Sequence, residues 1–164
     1  MTLVGGCTAE PTPVVNVDAL ADRVERDFEA FCLSADGDLE RAASAATARG
    51  WWEAPSQADF RAFEERQPGG RGGDGMLFLS PDVDGKASCN LSYDGPRAVA
   101  ALLNKRLADR YGGEAKEPNG ETEPCVTYVH EGRGYKACHN IYPDAPETAS
   151  LEVEWPALMM KGKE

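Results

Sequence analysis

The chain has 164 residues, 41% hydrophobic and 27% charged, enough for one domain with its own core. Its 28 acids against 17 bases leave a net charge of −11, and Arg and Lys are scattered singly, which argues against nucleic acid as a partner. No apolar run approaches the ~20 residues that span a bilayer, so no transmembrane helix is expected.

The first segment reads Leu3-Val4-Gly5-Gly6-Cys7 and runs directly into Thr8-Ala9-Glu10-Pro11-Thr12-Pro13. The tetrad Val4-Gly5-Gly6-Cys7 resembles the lipobox of bacterial lipoproteins, where small residues precede the cut and the cysteine sulfur takes a diacylglycerol. Gly6 at the third position is a less usual choice. The resemblance implies Cys7 as the lipid attachment site, a membrane partner through that anchor, and a periplasmic or cell-envelope location. Only six residues precede Cys7, short of the charged region and the apolar stretch of about 7–15 residues in a secretory signal. The resemblance therefore implies a longer or trimmed leader; with Met1 as the native start the expectation becomes a cytoplasmic chain. The Pro-rich polar stretch reads as an extended, solvated tether. Residues 1–16 are expected to be remnant and tether, 17–157 a single domain, and 158–164 a disordered tail.

The spacing of Leu20, Val24, Phe28 and Phe31 predicts a helix over residues 17–33, with Asp18 as its N-cap and Cys32 beside its apolar stripe. Ser34-Ala35-Asp36-Gly37-Asp38 breaks it. Asp36, Asp38 and Glu40 lack the distal ligands of a calcium loop and read as capping groups. An Ala-rich helix over 39–49 ends at Gly50. Trp51 and Trp52 follow and read as a seal on the core edge or as a ligand surface. Ser56 and Asp59 in capping-box-like spacing, with Phe60 and Phe63 on one side, predict a short helix. Residues 68–75 read as a flexible glycine loop without the Gly-Lys-Ser/Thr ending of a phosphate loop.

The pattern then becomes that of strands. The apolar run 76–79 predicts a strand covered on both faces, and Asp84-Gly85 is a hairpin turn. In the return strand Ala87, Cys89, Leu91 and Tyr93 face one way, and Ser88, Asn90 and Ser92 the other. Pro96 opens a helix to Tyr111, striped by Val99, Leu103 and Leu107 and ended by Gly112-Gly113. Residues 125–130 and 135–140 read as a second hairpin about Glu131-Gly132-Arg133-Gly134. Ala149, Leu151, Val153 and Trp155 form the buried side of a final strand. The fold class expected is α+β: N-terminal helices, then a mainly antiparallel sheet of about five strands in the order β-β-α-β-β-β, with a helix packed on it.

Setting Cys7 aside leaves four cysteines, an even number that suits an oxidising compartment. Cys125 and Cys138 fall on the two arms of one hairpin and on the same face, opposite or one diagonal apart. Cys89 faces inward on its strand and Cys32 adjoins the buried stripe of the first helix. The expected disulfides are Cys32–Cys89 and Cys125–Cys138. A zinc site of Cys125, Cys138, His130 and His139 lacks paired short spacings and would separate the two histidines along the hairpin. No metal and no cofactor are expected.

No nucleophile elbow, zinc-protease motif or dinucleotide fingerprint is present. The expected function is therefore non-enzymatic: a tethered envelope domain that binds a protein or other envelope ligand. Its possible ligand surface is Trp51, Trp52 and Tyr135, with the 68–75 loop nearby. The alternative is a small periplasmic hydrolase whose acid–base groups would come from His139, His130 and Glu131.

Overall fold

The computed structural model describes residues 14–56, 59–67, 72–81 and 86–156. Cys7, the turn residues Asp84 and Gly85, residues 68–71 of the glycine loop and the tail lie outside them.

Helix α1 spans Val17–Phe28, and its N-cap is Asn16, whose side chain accepts from the backbone N–H of Ala19 at 3.0 Å. Asp18, expected as the cap, instead sits in the first turn, where a carboxylate opposes the positive end of the helix dipole. Glu29–Leu33 continues α1 as a π-helical turn. Helix α2, Leu39–Ala48, is capped by Asp38, which accepts from the N–H of Arg41 at 3.1 Å. Helix α3, Arg97–Tyr111, begins one residue after Pro96 and ends at Gly112, whose φ of 77° an L side chain rarely adopts.

The strands are β1 Trp52–Ala54, β2 Arg61–Arg66, β3 Gly72–Ser80, β4 Lys86–Asp94, β5 Cys125–His130, β6 Arg133–Tyr142 and β7 Ala145–Pro156. They make one antiparallel sheet of seven strands in the order β1-β2-β3-β4-β7-β6-β5. The α+β class stands, but the strand count of about five does not. The difference lies in residues 52–66. Phe60 and Phe63 have helical spacing, yet the chain there lies extended and pairs with β3, Phe63 opposite Leu77. Local propensity yields to the row of unpaired backbone groups that β3 would otherwise expose. The first four residues of β3, read as loop, are also strand.

Alternation along every strand divides the side chains between two faces. On one face Phe63, Leu77, Leu91, Leu151, Ala137 and Val126 form a continuous cross-strand row. All six are buried beneath the helices. The four residues expected on the inner side of β4, Ala87, Cys89, Leu91 and Tyr93, are fully buried. Trp51 packs edge-on against both Phe31 and Tyr93. Gly75 makes room for that cluster: a Cβ there would stand 2.7 Å from the Tyr93 ring and 2.8 Å from Trp51. Tyr93 donates to Asp27 at 2.6 Å, and Arg49 holds the other oxygen of that carboxylate at 2.9 Å. Burial, then this acidic partner, pushes the Tyr93 hydroxyl up.

On the second face exposure is uneven: Trp52 and Phe60 are exposed, whereas Ala62, Ser92, Ser150 and Cys138 are buried. The run 76–79 is covered on one side only: Leu77 and Leu79 are buried, whereas Met76 and Phe78 are half-buried.

Candidate functional site

Both expected disulfides are present. Cys32–Cys89 joins the π-helical turn to β4 in the core, with Cα atoms 5.5 Å apart. Cys125–Cys138 joins directly opposed residues of β5 and β6, with Cα atoms 4.1 Å apart. That separation belongs to a pair that exchanges no ladder hydrogen bonds. The bond from the His139 N–H to the Pro124 carbonyl, 2.7 Å, has the matching parity.

The three residues read as a ligand surface do not come together. Trp51, 8% exposed, is a core residue, and Tyr135, 4% exposed, is stacked under Tyr111 with ring centres 3.9 Å apart. Tyr111 itself is pushed up to about 12, first by burial and then by Tyr135. Trp52 alone is exposed, at 43%, on the uncovered face with the Arg66 guanidinium 4.5 Å from its ring centre. Alternation accounts for the split, because consecutive tryptophans at a strand start face opposite ways.

The uncovered face has two parts. At the β1–β3 end lie Trp52, Met76, and the edge-on pair of Phe60 and Phe78, 5.9 Å between ring centres. Phe78 stands opposite Asn90, which stands opposite Glu152, then Lys136, then Thr127. This polar row is linked by side chains. Asn90 donates to Glu152 at 3.0 Å, and Lys136 lies 3.5 Å from Glu152 and hydrogen-bonds Glu154.

The environments of the two carboxylates differ in sign. Burial raises Glu152 above its ordinary 4.5, outweighing the Asn90 bond and the Lys136 charge. Burial also acts to raise Glu154, but the hydrogen bond and charge of Lys136 outweigh it and lower that group. Lys136 is raised in turn: burial opposes its charge, and the two glutamates more than compensate. Sequence alternation placed Glu152 and Glu154 on the polar side of a strand. It carried no sign of Lys136 and Asn90, because those contacts depend on β7 lying between β4 and β6.

The histidines are separate: His130 lies at the end of β5 and His139 within β6. His130 is half exposed near the β5–β6 turn, 3.7 Å from Glu131. His139, 3% exposed, pairs with Glu147 at 2.8 Å while its Nδ1 has no partner. Gly120 closes over it, since a Cβ there would meet the His139 carbonyl at 2.8 Å and Nδ1 at 3.1 Å. The ring is thus buried, while the side chain of its Glu147 partner is 45% exposed. Among the described residues no three His, Cys, Asp or Glu side chains are grouped to hold a metal ion. Likewise none of their helices is long and apolar enough to cross a membrane.

No protein-family model, curated protein or solved structure matches this chain.

Proposed function

We propose that this chain is a non-enzymatic domain of the cell envelope, lipid-anchored at Cys7, that binds a protein partner through the uncovered face of its sheet. The observation that carries the binding reading is that face itself. Trp52, Phe60 and Phe78 stand beside the linked row of Asn90, Glu152, Lys136 and Glu154. An apolar aromatic patch rimmed by ordered polar groups is the anatomy of a protein-binding surface. The two disulfides support an oxidising location. They use four of the five cysteines and leave Cys7 for the lipid, as the lipobox resemblance implies. The hydrolase reading has less support, because the His139 ring is buried and the exposed pair of His130 and Glu131 stands 3.7 Å apart, beyond hydrogen-bond reach.

The test is site-specific photocrosslinking in cells that express the chain natively. A benzophenone side chain at Trp52 or Phe78 should give a discrete protein adduct, and one at the exposed Lys105 of α3 should not. Adducts from Lys105 alone, or none from the sheet face, would contradict the proposal.

A further inference from the structure

The two edges of the sheet are built differently. β1 has three residues and is followed at once by Pro55, which has no N–H to offer. β5 has six residues and pairs with β6 in unbroken register; Pro124 directly precedes it, but the strand itself contains no proline, lysine or bulge. Since Cys125 and Cys138 form a non-hydrogen-bonded pair, Cys125, Thr127 and Val129 turn their N–H and C=O groups away from β6. Among the described residues none of those groups meets a backbone partner. Val129 is 74% exposed. Sheet edges are ordinarily protected by charge, proline, bulges, shortness or a covering loop; β5 has none of the first four within its length, and the segment after α3 runs beside it across a groove.

A groove of about 560 Å³ runs along this edge, between β5 and the segment after α3. Its outer wall is held in place. Tyr128 donates to Asn104 at 2.6 Å, and Asn104 in turn donates to the carbonyl of Lys116. Gly113 lies against the Tyr128 ring, where a Cβ would be 3.2 Å away. The wall is acidic: residues 114–123 hold four glutamates against one lysine, and Glu114, Glu123 and Lys116 line the groove.

We infer that β5 receives an extended, basic segment of a partner protein as an eighth strand of the sheet. This goes beyond the binding reading above, because β5 lies at the opposite edge of the sheet from Trp52, Phe60 and Phe78. Backbone bonds to Cys125, Thr127 and Val129 would supply affinity, as in other strand additions, and alternate side chains would supply choice. Partner residues opposite Thr127 and Val129 share their side of the sheet and suit apolar or β-branched side chains. The alternate residues face the acidic wall and suit Lys or Arg. A second copy of this chain is the poorer complement, since its own β5 has no lysine or arginine and the whole chain is acidic.

The test uses the full chain and a short synthetic peptide alternating Lys with Val or Thr. Amide hydrogen exchange should slow at Thr127 and Val129 on adding the peptide. Replacing its Lys by Glu should weaken binding about tenfold, and salt should weaken the Lys form. Thr127→Pro removes an outward N–H while leaving the bonds of Val126 and Tyr128 to β6, a position where an edge strand tolerates proline. It should weaken binding at least about tenfold, with Thr127→Val changing it less than about twofold. If the proline variant does not fold, the same reading comes from the peptide. N-methylation at positions bonded to β5 should abolish binding, and N-methylation at alternate positions should not. Three results would overturn the inference: no slowed exchange at millimolar peptide, binding indifferent to both Thr127→Pro and N-methylation, or β5 protection in the free chain through self-association. Adducts from Trp52 or Phe78 alongside any of these would leave the broader binding proposal standing and remove only the added strand.

Discussion

The two faces of the sheet are made from alternate residues of the same strands, yet they differ in almost every physical respect. One carries Phe63, Leu77, Leu91, Leu151, Ala137 and Val126 under the helices, with Cys32–Cys89 buried among them. The other carries Ala62, Phe78, Asn90, Glu152, Lys136 and Thr127 in the neighbouring row, with Cys125–Cys138 at its margin. The covered face supplies folding free energy through apolar burial. The uncovered face holds its groups in fixed positions by pairing them with one another, and this leaves it suited to recognition. On the proposed reading, stability and binding fall on opposite sides of one layer.

The largest test of that division compares the disulfides. Cys32–Cys89 closes 57 residues and Cys125–Cys138 closes 13. Loop-closure entropy gives about 4 kcal/mol for the first and about 3 for the second. The Cys32→Ser/Cys89→Ser variant should lose more still, because it also places hydroxyls in a dry core. Urea melts of the two double variants should preserve that order.

Paired truncations sharpen the comparison next. Leu91→Ala on the covered face should cost about 3 kcal/mol, while Phe78→Ala, one strand away on the open face, should cost about 1. Equal losses would mean that the second face is as much core as the first.

The glutamates separate the two roles by pH. Glu152 is raised above its ordinary 4.5, so the folded chain binds that proton more tightly than the unfolded chain. Its contribution to stability therefore grows as pH falls through the raised value and levels off below 4.5. Glu154 is lowered, so its stabilisation is full above 4.5 and is lost as pH falls through the depressed value. At pH 7 Glu152→Gln should be as stable as the parent or up to about 1 kcal/mol better, and Glu154→Gln about 1 kcal/mol worse. Denaturant melts at neutral and acid pH should show both differences shrinking on acidification.

The smallest stability change should be at Trp52. Trp52→Ala is expected to shift stability by about 0.5 kcal/mol or less, yet to reduce partner capture by a crosslinker at Phe78 severalfold. A large loss of stability with unchanged capture would assign Trp52 to the core instead.

The sequence disclosed the features that depend on local period. Alternation along residues 87–93 identified the inner side of β4, and helical spacing identified α1 and α3. The disulfide pairs followed because two cysteines shared a hairpin and the other two shared the core side. The Glu131-Gly132 turn, with φ of 51° and 77°, closes that hairpin two residues tighter than the four-residue reading. What stayed hidden depends on strand order. The pairing of residues 61–66 with β3 is a long-range choice that overrode the Phe60/Phe63 spacing. Lys136 meets Glu152 only because β7 inserts between β4 and β6. The edge position of β5 is likewise a property of the whole sheet. Trp51 and Trp52, read as a unit, were divided by the pleat that starts between them.

Intact mass of the natively expressed chain after alkylation, before and after reduction, distinguishes a disulfide-locked domain anchored outside the cytoplasm from a reduced, unanchored one. The expected chain starts at Cys7, carries a lipid-sized increment, accepts no alkylating group until reduced, and accepts four afterwards. Five alkylatable cysteines in the native, unreduced chain would contradict this expectation.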